Sequence, residues 1–230
     1  MIKQIFTGLF LLVTVCTAAQ QVRIEAGAGY GSFSMNGLKE LNTYFLESLP
    51  VKARLTDDFP VQPFFSGALL YHAPKTMYFG PVLGFTSTGS RVSYKDFSGE
   101  LFLDNILSSL NGGLRLGFTL SDKKIKVSQE NDFTLAITWL KMYQKVLSQE
   151  DTRNFRSMSP QAEPGIRISS HFNRFDIGVK AGYLIDFKGK YKLSEDSDKY
   201  LISADDNKPL TNNWSGFRLG LTLGFKLLGE

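Results

Sequence analysis

The fold is decided near the end of the chain, by the stretch Phe217-Arg218-Leu219-Gly220-Leu221-Thr222-Leu223-Gly224-Phe225-Lys226-Leu227. Every second residue here is large and apolar, and the residues between are polar or glycine. A period of two places these two kinds of side chain on opposite faces of a β-strand. The apolar face must meet either lipid or a protein core.

The same alternation recurs along the chain. It is clearest at residues 22–31 and 175–188, and weaker at 59–72, 76–92, 100–120, 124–143 and 155–172. With residues 217–227 these segments make eight strands, each long enough for a tilted membrane strand. Residues 101–110 carry apolar side chains on both faces, so we expect a bulge or a short helical turn between residues 100 and 114.

The connections between these strands alternate in length. Short turns are predicted at residues 71–75, 121–123 and 172–174, whereas the other four connections are long and polar. This order is typical of antiparallel strands that cross an outer membrane, with short periplasmic turns and long external loops. It predicts an eight-stranded, up-and-down transmembrane β-barrel with both termini at the periplasm. A soluble sandwich or lipocalin-like barrel is the alternative, but it has no reason to sort its loops by length.

The start of the chain resembles an export signal. Lys3 precedes an apolar run over residues 5–15, and small residues follow up to Ala19. We expect cleavage after Ala19, which leaves residues 20–230 as one barrel domain. Val15 precedes Cys16 where a lipoprotein needs a small residue, so no lipidation is expected. Cys16 is the only cysteine, and the mature chain is therefore expected to lack disulfides and cysteine chemistry.

Composition excludes two other classes. The chain has 230 residues and a formal net charge of +4 without basic clusters, so no nucleic acid partner is expected. The mean hydropathy is −0.10, and beyond the signal no apolar stretch approaches the roughly 20 residues of a spanning helix. A helical membrane protein is therefore excluded.

One segment has helical rather than strand periodicity. Between residues 34 and 50, apolar side chains recur every three or four positions: Leu38, Leu41, Tyr44, Phe45 and Leu49. Asn36 is the predicted N-cap and Pro50 the stop. We interpret this segment as an amphipathic helix in the first external loop. It is either a lid on the barrel rim or a gate or receptor surface for a lipid or peptide.

Residues 218–225 resemble the terminal-strand signal of the small outer-membrane β-barrel proteins of Gram-negative bacteria, and the chain is similar in character to those of Bacteroidota. The resemblance implies residence in the outer membrane and recognition by the barrel-assembly machinery. In the family the chain usually ends at or near the aromatic residue of this signal, whereas here residues 226–230 follow Phe225.

The predicted interior carries charges of both signs. The inward candidates are Arg23, Glu25, Arg115, Glu130, Asp132, Arg167, Asp176, Lys180, Asp186, Arg218 and Lys226. In so small a barrel they are expected to pair as a packed polar plug; a narrow conduit or a ligand site at the external mouth is the alternative. Inward glycines relieve crowding: Gly27, Gly29, Gly31, Gly182, Gly220 and Gly224.

No catalytic, metal or cofactor site is predicted. The two histidines, His72 and His171, fall at the periplasmic turns, and no metal-ligand spacing is present. The glycines of residues 27–31 lie within a strand rather than in a phosphate-binding loop. Aromatic residues near strand ends are expected at the membrane interfaces: Tyr30, Trp139, Tyr143, Trp214 and Phe217.

The sequence therefore predicts a non-enzymatic protein of the outer membrane, in contact with its lipid and lipopolysaccharide, with a structural or surface-interaction role. The polar loops at residues 148–154 and 194–213 are candidates for contact with phage, host or lipopolysaccharide. One alternative is a porin-like or gated transporter of small or apolar molecules, with the helix at residues 38–49 as gate. A lipid-modifying barrel enzyme ranks third.

Overall fold

The structure is a computed structural model that describes residues 21–73, 76–97, 99–122, 124–146, 149–203 and 207–228. The predicted signal peptide and its cleavage point after Ala19 lie outside these residues, as does Cys16. No helix in the described part of the chain is long and apolar enough to cross a membrane.

Eight long strands form a closed antiparallel ring. The elements in chain order are β1 (Gln21–Gly31), α1 (Asn36–Ser48), β2 (Arg54–Asp58), β3 (Gln62–His72), β4 (Met77–Asp96), β5 (Gly99–Asp122), β6 (Lys126–Val146), β7 (Gln149–Phe172), β8 (Phe175–Asp186), β9 (Lys192–Leu193) and β10 (Gly216–Leu228). The ring runs β1-β3-β4-β5-β6-β7-β8-β10 and closes where β10 pairs with β1. Because the ring is closed, each long strand is hydrogen-bonded to a neighbouring strand along both of its edges within the barrel. The predicted eight-stranded barrel with one short helix is confirmed.

Side chains alternate between the outside and the inside of this ring. The outer wall is apolar over its whole circumference, with large side chains exposed on every long strand: Ile24, Phe65, Leu83, Phe85, Leu110, Leu114, Phe118, Phe133, Leu135, Ile166, Ile168, Ile177, Val179, Leu219, Leu221, Leu223 and Phe225. The inner positions are mostly polar or glycine. This is the inverse of a soluble barrel, in which the apolar faces would meet inside.

Strand β5 is regular between residues 100 and 114, so the bulge or helical turn expected there is wrong; its register with β6 shifts only farther along, between Thr119 and Ser121. Its pairing with β4 is unbroken from Met77–Phe118 to Asp96–Gly99. Apolar side chains lie on both faces because the interior at this height is also apolar. Leu107 points into a buried apolar cluster, whereas Ile106 and Leu110 point outward.

The two ends of the barrel differ. The three short connections lie at one end, which we call the turn end; there β7 ends at Phe172 and β8 begins at Phe175, with Asn173 in the left-handed conformation (φ 54°) that a tight turn requires. We call the other end the loop end. Two of the four connections predicted there as long polar loops are instead strand extensions, because β4–β5 and β6–β7 remain paired almost to their hairpin tips.

The remaining two connections fill and flank the loop end. Strand β2 pairs with the upper part of β4, and the two-residue β9 pairs with β7. Helix α1 begins at Asn36, but the N-cap position belongs to Met35, which is left-handed (φ 45°) and makes no side-chain cap hydrogen bond. The prediction of Asn36 as N-cap is therefore wrong. The helix ends at Ser48, as expected from Pro50.

Candidate functional site

The interior of the barrel is the candidate site, because a function that involves transport or ligand binding would use it. In its middle and turn-end parts, ion pairs within 4.0 Å link ten buried charged side chains into a single network. Among the described residues this network contains five bases and five acids: Arg23, Arg115, Arg167, Lys180 and Arg218, with Glu25, Glu130, Asp132, Glu163 and Asp176.

Arg115 is the hub of this network. Its guanidinium makes a two-point contact with Asp132, through Nε to Oδ1 at 2.7 Å and Nη2 to Oδ2 at 2.9 Å. Its third nitrogen, Nη1, contacts Glu25 at 2.5 Å and Glu130 at 3.4 Å. A fork of fixed donors facing several carboxylates is the arrangement for which arginine is suited and lysine is not.

The network continues from this hub in two directions. Toward the loop end, Lys180 Nζ lies 2.8 Å from Asp132 and 3.1 Å from Glu163, and Glu163 also contacts Arg218 at 3.1 Å. Every charge in this direction has an opposite charge beside it, as the desolvated interior of a protein demands.

Toward the turn end, the network reaches the short turn between β7 and β8. Arg23 lies 3.1 Å from Glu25 and 3.7 Å from Asp176, which also contacts Arg167. His171 Nδ1 lies 2.7 Å from Asp176 Oδ2. The predicted position of this histidine at a turn is therefore confirmed.

Small inward residues make room for the long charged side chains. A Cβ added at Gly224 would come within 3.0 Å of Arg23, and one at Gly117 within 2.1 Å of the Tyr78 ring. That ring is held in the interior by a hydrogen bond from its hydroxyl to Glu130 Oε1 at 2.7 Å. Gly224 therefore has the space-making role predicted for it, and Gly117, which is not among the predicted positions, has the same role.

A buried apolar cluster fills the interior at the loop end. Its members come from the barrel wall, from α1 and the residues just before it, from the link between β2 and β3, and from the long connection between β8 and β10: Phe33, Met35, Leu38, Phe59, Leu107, Leu140, Phe155, Leu184, Tyr191, Leu210 and Trp214. Trp214 is at its centre, fully buried, with Phe33 edge-on at a ring-centroid distance of 5.2 Å. Burial raises the pKa of Tyr191, and the nearby Asp186 raises it further.

Polar contacts anchor the β8–β10 connection in the mouth. The Trp214 indole N–H donates to Thr138 Oγ1 at 2.8 Å, and its backbone N–H donates to Asp186 Oδ2 at 2.9 Å. Asn212 Nδ2 donates to Ser159 Oγ at 3.1 Å. Since Thr138 and Ser159 belong to the barrel wall, this connection is folded into the barrel rather than spread over its rim.

Helix α1 is also attached inside the mouth. Leu38 joins the apolar cluster and is only 1% exposed. Asn42 is fully buried; its Oδ1 accepts from Asn105 Nδ2 at 2.8 Å, and its Nδ2 donates to Asp58 at 3.3 Å. Asn42 is therefore buried, although the helical periodicity predicts it on the polar face of α1, opposite the apolar residues.

Little free volume remains between the two fillings. The described interior contains a cavity of about 30 Å³ between the ion network and the apolar cluster, lined in part by Ser66, Asn111, Thr134 and Leu184. This volume holds no more than about two or three water molecules. It is too small for a solute.

Most inward predictions are confirmed. Ten of the eleven predicted inward charges are buried, and only Lys226 is partly exposed at the turn end. Glu163 was missed, although it lies four residues before Arg167 and thus on the same face of β7. Trp214 was predicted at a membrane interface; this is wrong, because the β8–β10 connection folds inward. Among the described residues, no group of histidine, cysteine and acidic side chains could hold a metal ion.

The ends of the apolar wall carry aromatic side chains. Tyr30 and Phe217 are exposed toward the loop end, and Tyr183 packs edge-on against Phe217 at 4.9 Å. Phe175 and Phe225 pair at 5.2 Å near the turn end. Aromatic side chains at both ends of an apolar wall are typical of barrels that span a bilayer.

No family model and no curated protein matches this chain. Solved structures do match it, among them the outer membrane protein OprG from Pseudomonas aeruginosa, with a TM-score of 0.51 and 11% sequence identity over 92% of this chain and 98% of that one. The fold is that of an outer-membrane β-barrel. The attachment invasion locus protein Ail of Yersinia pestis (TM-score 0.44, 13% identity, 89% and 99% of the two chains) and the N-terminal β-barrel domain of Pseudomonas aeruginosa OprF (0.33, 11%, 91% and 98%) also match, more distantly.

Proposed function

We propose that this protein is a closed, non-enzymatic barrel of the Gram-negative outer membrane that presents a protruding β-sheet outside the cell. The closure carries this proposal: a charge-balanced ion network and an apolar cluster fill the described interior, and the cavity between them measures about 30 Å³. A conducting barrel needs a continuous aqueous passage, which such a filling opposes.

The outer wall supports the membrane location. Large apolar side chains are exposed around the whole ring, and aromatic side chains border them at both ends. In water, so large an apolar surface would be unfavourable at about 25 cal/mol for each Å². The predicted signal peptide and the terminal-strand signal at residues 218–225 imply export and delivery to the barrel-assembly machinery.

The loop end supports the surface role. Strand β5 has 24 residues, whereas about 9–11 residues suffice to cross the membrane. The four strands β4–β7 therefore continue well beyond the apolar wall as a sheet with charged and polar side chains, flanked by β2. Phe97, at one hairpin tip, is fully exposed. A sheet of this kind can contact a ligand, a host surface or a phage.

A gated transporter is less well supported. The gate would be α1, which is bound through Leu38 to the apolar cluster and through Asn42 to Asn105. Movement of α1 would expose apolar surface and would still leave the ion network across the barrel. A lipid-modifying enzyme is also less well supported, since His72 and His171 both lie at the turn end.

The test combines fractionation with conductance. We expect the full-length chain in the outer-membrane fraction, migrating faster on a gel unboiled than boiled, and silent in planar bilayers. OprG and the barrel domain of OprF, expressed and purified identically, serve as folding and migration standards. Recovery as a soluble protein without a mobility shift would contradict the membrane location, and stable channels of nanosiemens size would contradict the closed interior.

A further inference from the structure

A group of unpaired cations lies on the outside of the barrel just beyond the apolar wall. It consists of Lys141 on β6, Arg156 on β7, Lys192 on β9 and Lys190 just before β9, and we call it the basic patch. All four side chains are exposed. None of them forms an ion pair with an acidic residue in the described ranges.

The position of the patch is fixed by the strand register. Arg156 pairs with Trp139 on one side and with Lys192 on the other, and paired residues of an antiparallel ladder point to the same face. Trp139 and Met158 are exposed on the outer wall. Arg156 therefore lies beside Trp139 and one step above Met158 on the outer face, where the head group of a lipid packed against Met158 would lie.

Other cations of the loop end do have acidic partners. Five of them, on the protruding sheet and in the adjacent connection, each lie beside a carboxylate: Arg91 with Asp104, Lys95 with Glu100, Lys145 with Glu150, Arg153 with Asp151 and Lys199 with Asp196. On β6 and β7 the cations farther from the apolar wall, Lys145 and Arg153, are therefore compensated, whereas Lys141 and Arg156 have no ion pair with a described acidic residue.

Two of the three lysines of the patch lie beside the same aromatic ring. Lys190 Nζ and Lys192 Nζ lie 6.0 Å and 5.4 Å from the centroid of the Tyr200 ring. The ring face attracts both ammonium groups, but two like charges beside one ring repel each other. An anion placed between them and Arg156 would remove this repulsion.

We propose that the basic patch binds the phosphate groups of phosphorylated glycolipids in the outer leaflet. The lipid acyl chains lie against Met158 and the apolar wall below, Trp139 contacts the interface, and the phosphates accept hydrogen bonds from Arg156 and the three lysines. This inference rests on the proposed outer-membrane location and adds a specific lipid contact to it.

The test uses lipid A with both phosphates, and the same lipid A after removal of the phosphates, titrated into the purified barrel in detergent and followed by native mass spectrometry. The patch variant carries Lys141→Gln, Arg156→Gln, Lys190→Gln and Lys192→Gln. A matched control removes four paired cations by Lys95→Gln, Lys145→Gln, Arg153→Gln and Lys199→Gln, so the net charge is equal. Heat-modifiability on a gel checks the folding of both variants.

We expect the patch variant to bind phosphorylated lipid A about tenfold more weakly or worse than wild type, and the control variant to remain within about twofold. Equal losses in the two variants, or equal binding of dephosphorylated lipid A, would overturn the proposal. So would complete displacement by excess inorganic phosphate, which would indicate a site for a free anion. If wild type is absent from the outer membrane, the proposed location fails; if it is present but these variants behave alike, only the lipid contact fails.

Discussion

At the scale of single residues, Arg115 is a base that compensates three of the buried carboxylates in the middle of the ion network. It is 2% exposed and contacts Glu25, Glu130 and Asp132. Replacing it by methionine leaves three buried carboxylates without this base, so we expect Arg115→Met to lower the free energy of unfolding by about 3–5 kcal/mol. Urea unfolding in detergent, followed by circular dichroism, measures this loss.

The control for this prediction is Lys145→Met. Lys145 also forms an ion pair, with Glu150, but that pair lies at the solvated hairpin, and removing it should cost less than about 1 kcal/mol. Similar losses in the two variants would show that the interior is hydrated rather than packed.

The two tryptophans provide a second test at this scale. Trp139 is 40% exposed on the outer wall, whereas Trp214 is fully buried in the mouth. In lipid bilayers containing brominated acyl chains, we expect strong quenching of the Trp214→Phe variant, which retains only Trp139. The Trp139→Phe variant should emit at shorter wavelength and be quenched little. The reverse pattern would mean that the β8–β10 connection does not fold inward.

The fate of these residues shows which parts of the site could be predicted. Side chains alternate between the two faces of a strand, so the inward direction of Arg115 and Arg167 can be predicted from the sequence alone. The same alternation, counted back four residues from Arg167, predicts that Glu163 also points inward. The direction of Trp214 cannot be predicted in this way, because it depends on Thr138 and Asp186, which are distant in sequence.

At the scale of elements, α1 provides the sharpest test of the filled mouth. Leu38→Asp would place a carboxylate in the apolar cluster, where burial of an unpaired charge is strongly unfavourable. We expect α1 to detach and the rate of protease cleavage within residues 32–53, measured on reconstituted protein, to rise at least about tenfold. Tyr44→Asp is the matched control, since Tyr44 lies on the same helix and is 49% exposed. If both variants are cleaved at the wild-type rate, the helix is not held by its apolar face.

The hydrophobic periodicity of the sequence predicts which segments form strands and which forms the helix, but it does not predict where the strands end. The sequence of residues 100–114 does not show a clear strand pattern, because its inner face packs against α1 and the β8–β10 connection. Apolar side chains therefore occur on both faces of the strand rather than on the outer face alone. The sequence predicts loops at the extensions of β4–β7 because both faces of these extensions are largely solvated. The apolar alternation is lost there, although the backbone pairing continues.

At the scale of the whole molecule, the ion network and the apolar cluster fill the described interior at two levels. We therefore expect that replacing α1 (Asn36–Ser48) by a flexible linker leaves the barrel non-conducting in planar bilayers, since the network below contains its own paired charges. Heat-modifiability on a gel confirms that the shortened chain still folds. Channels of nanosiemens size that appear only on this deletion would identify α1 as a gate and favour the transporter.

The length of the paired hairpins also makes the protein a carrier for foreign peptides. Strand β5 spans about 80 Å along its own axis at 3.3 Å per residue, and β6 and β7 remain paired up to Val146 and Gln149. With the barrel in the outer membrane as proposed, an epitope inserted between these two residues would be displayed on a stiff support within reach of an antibody on intact cells. A barrel that is closed as proposed could carry such a display without opening the envelope that it decorates.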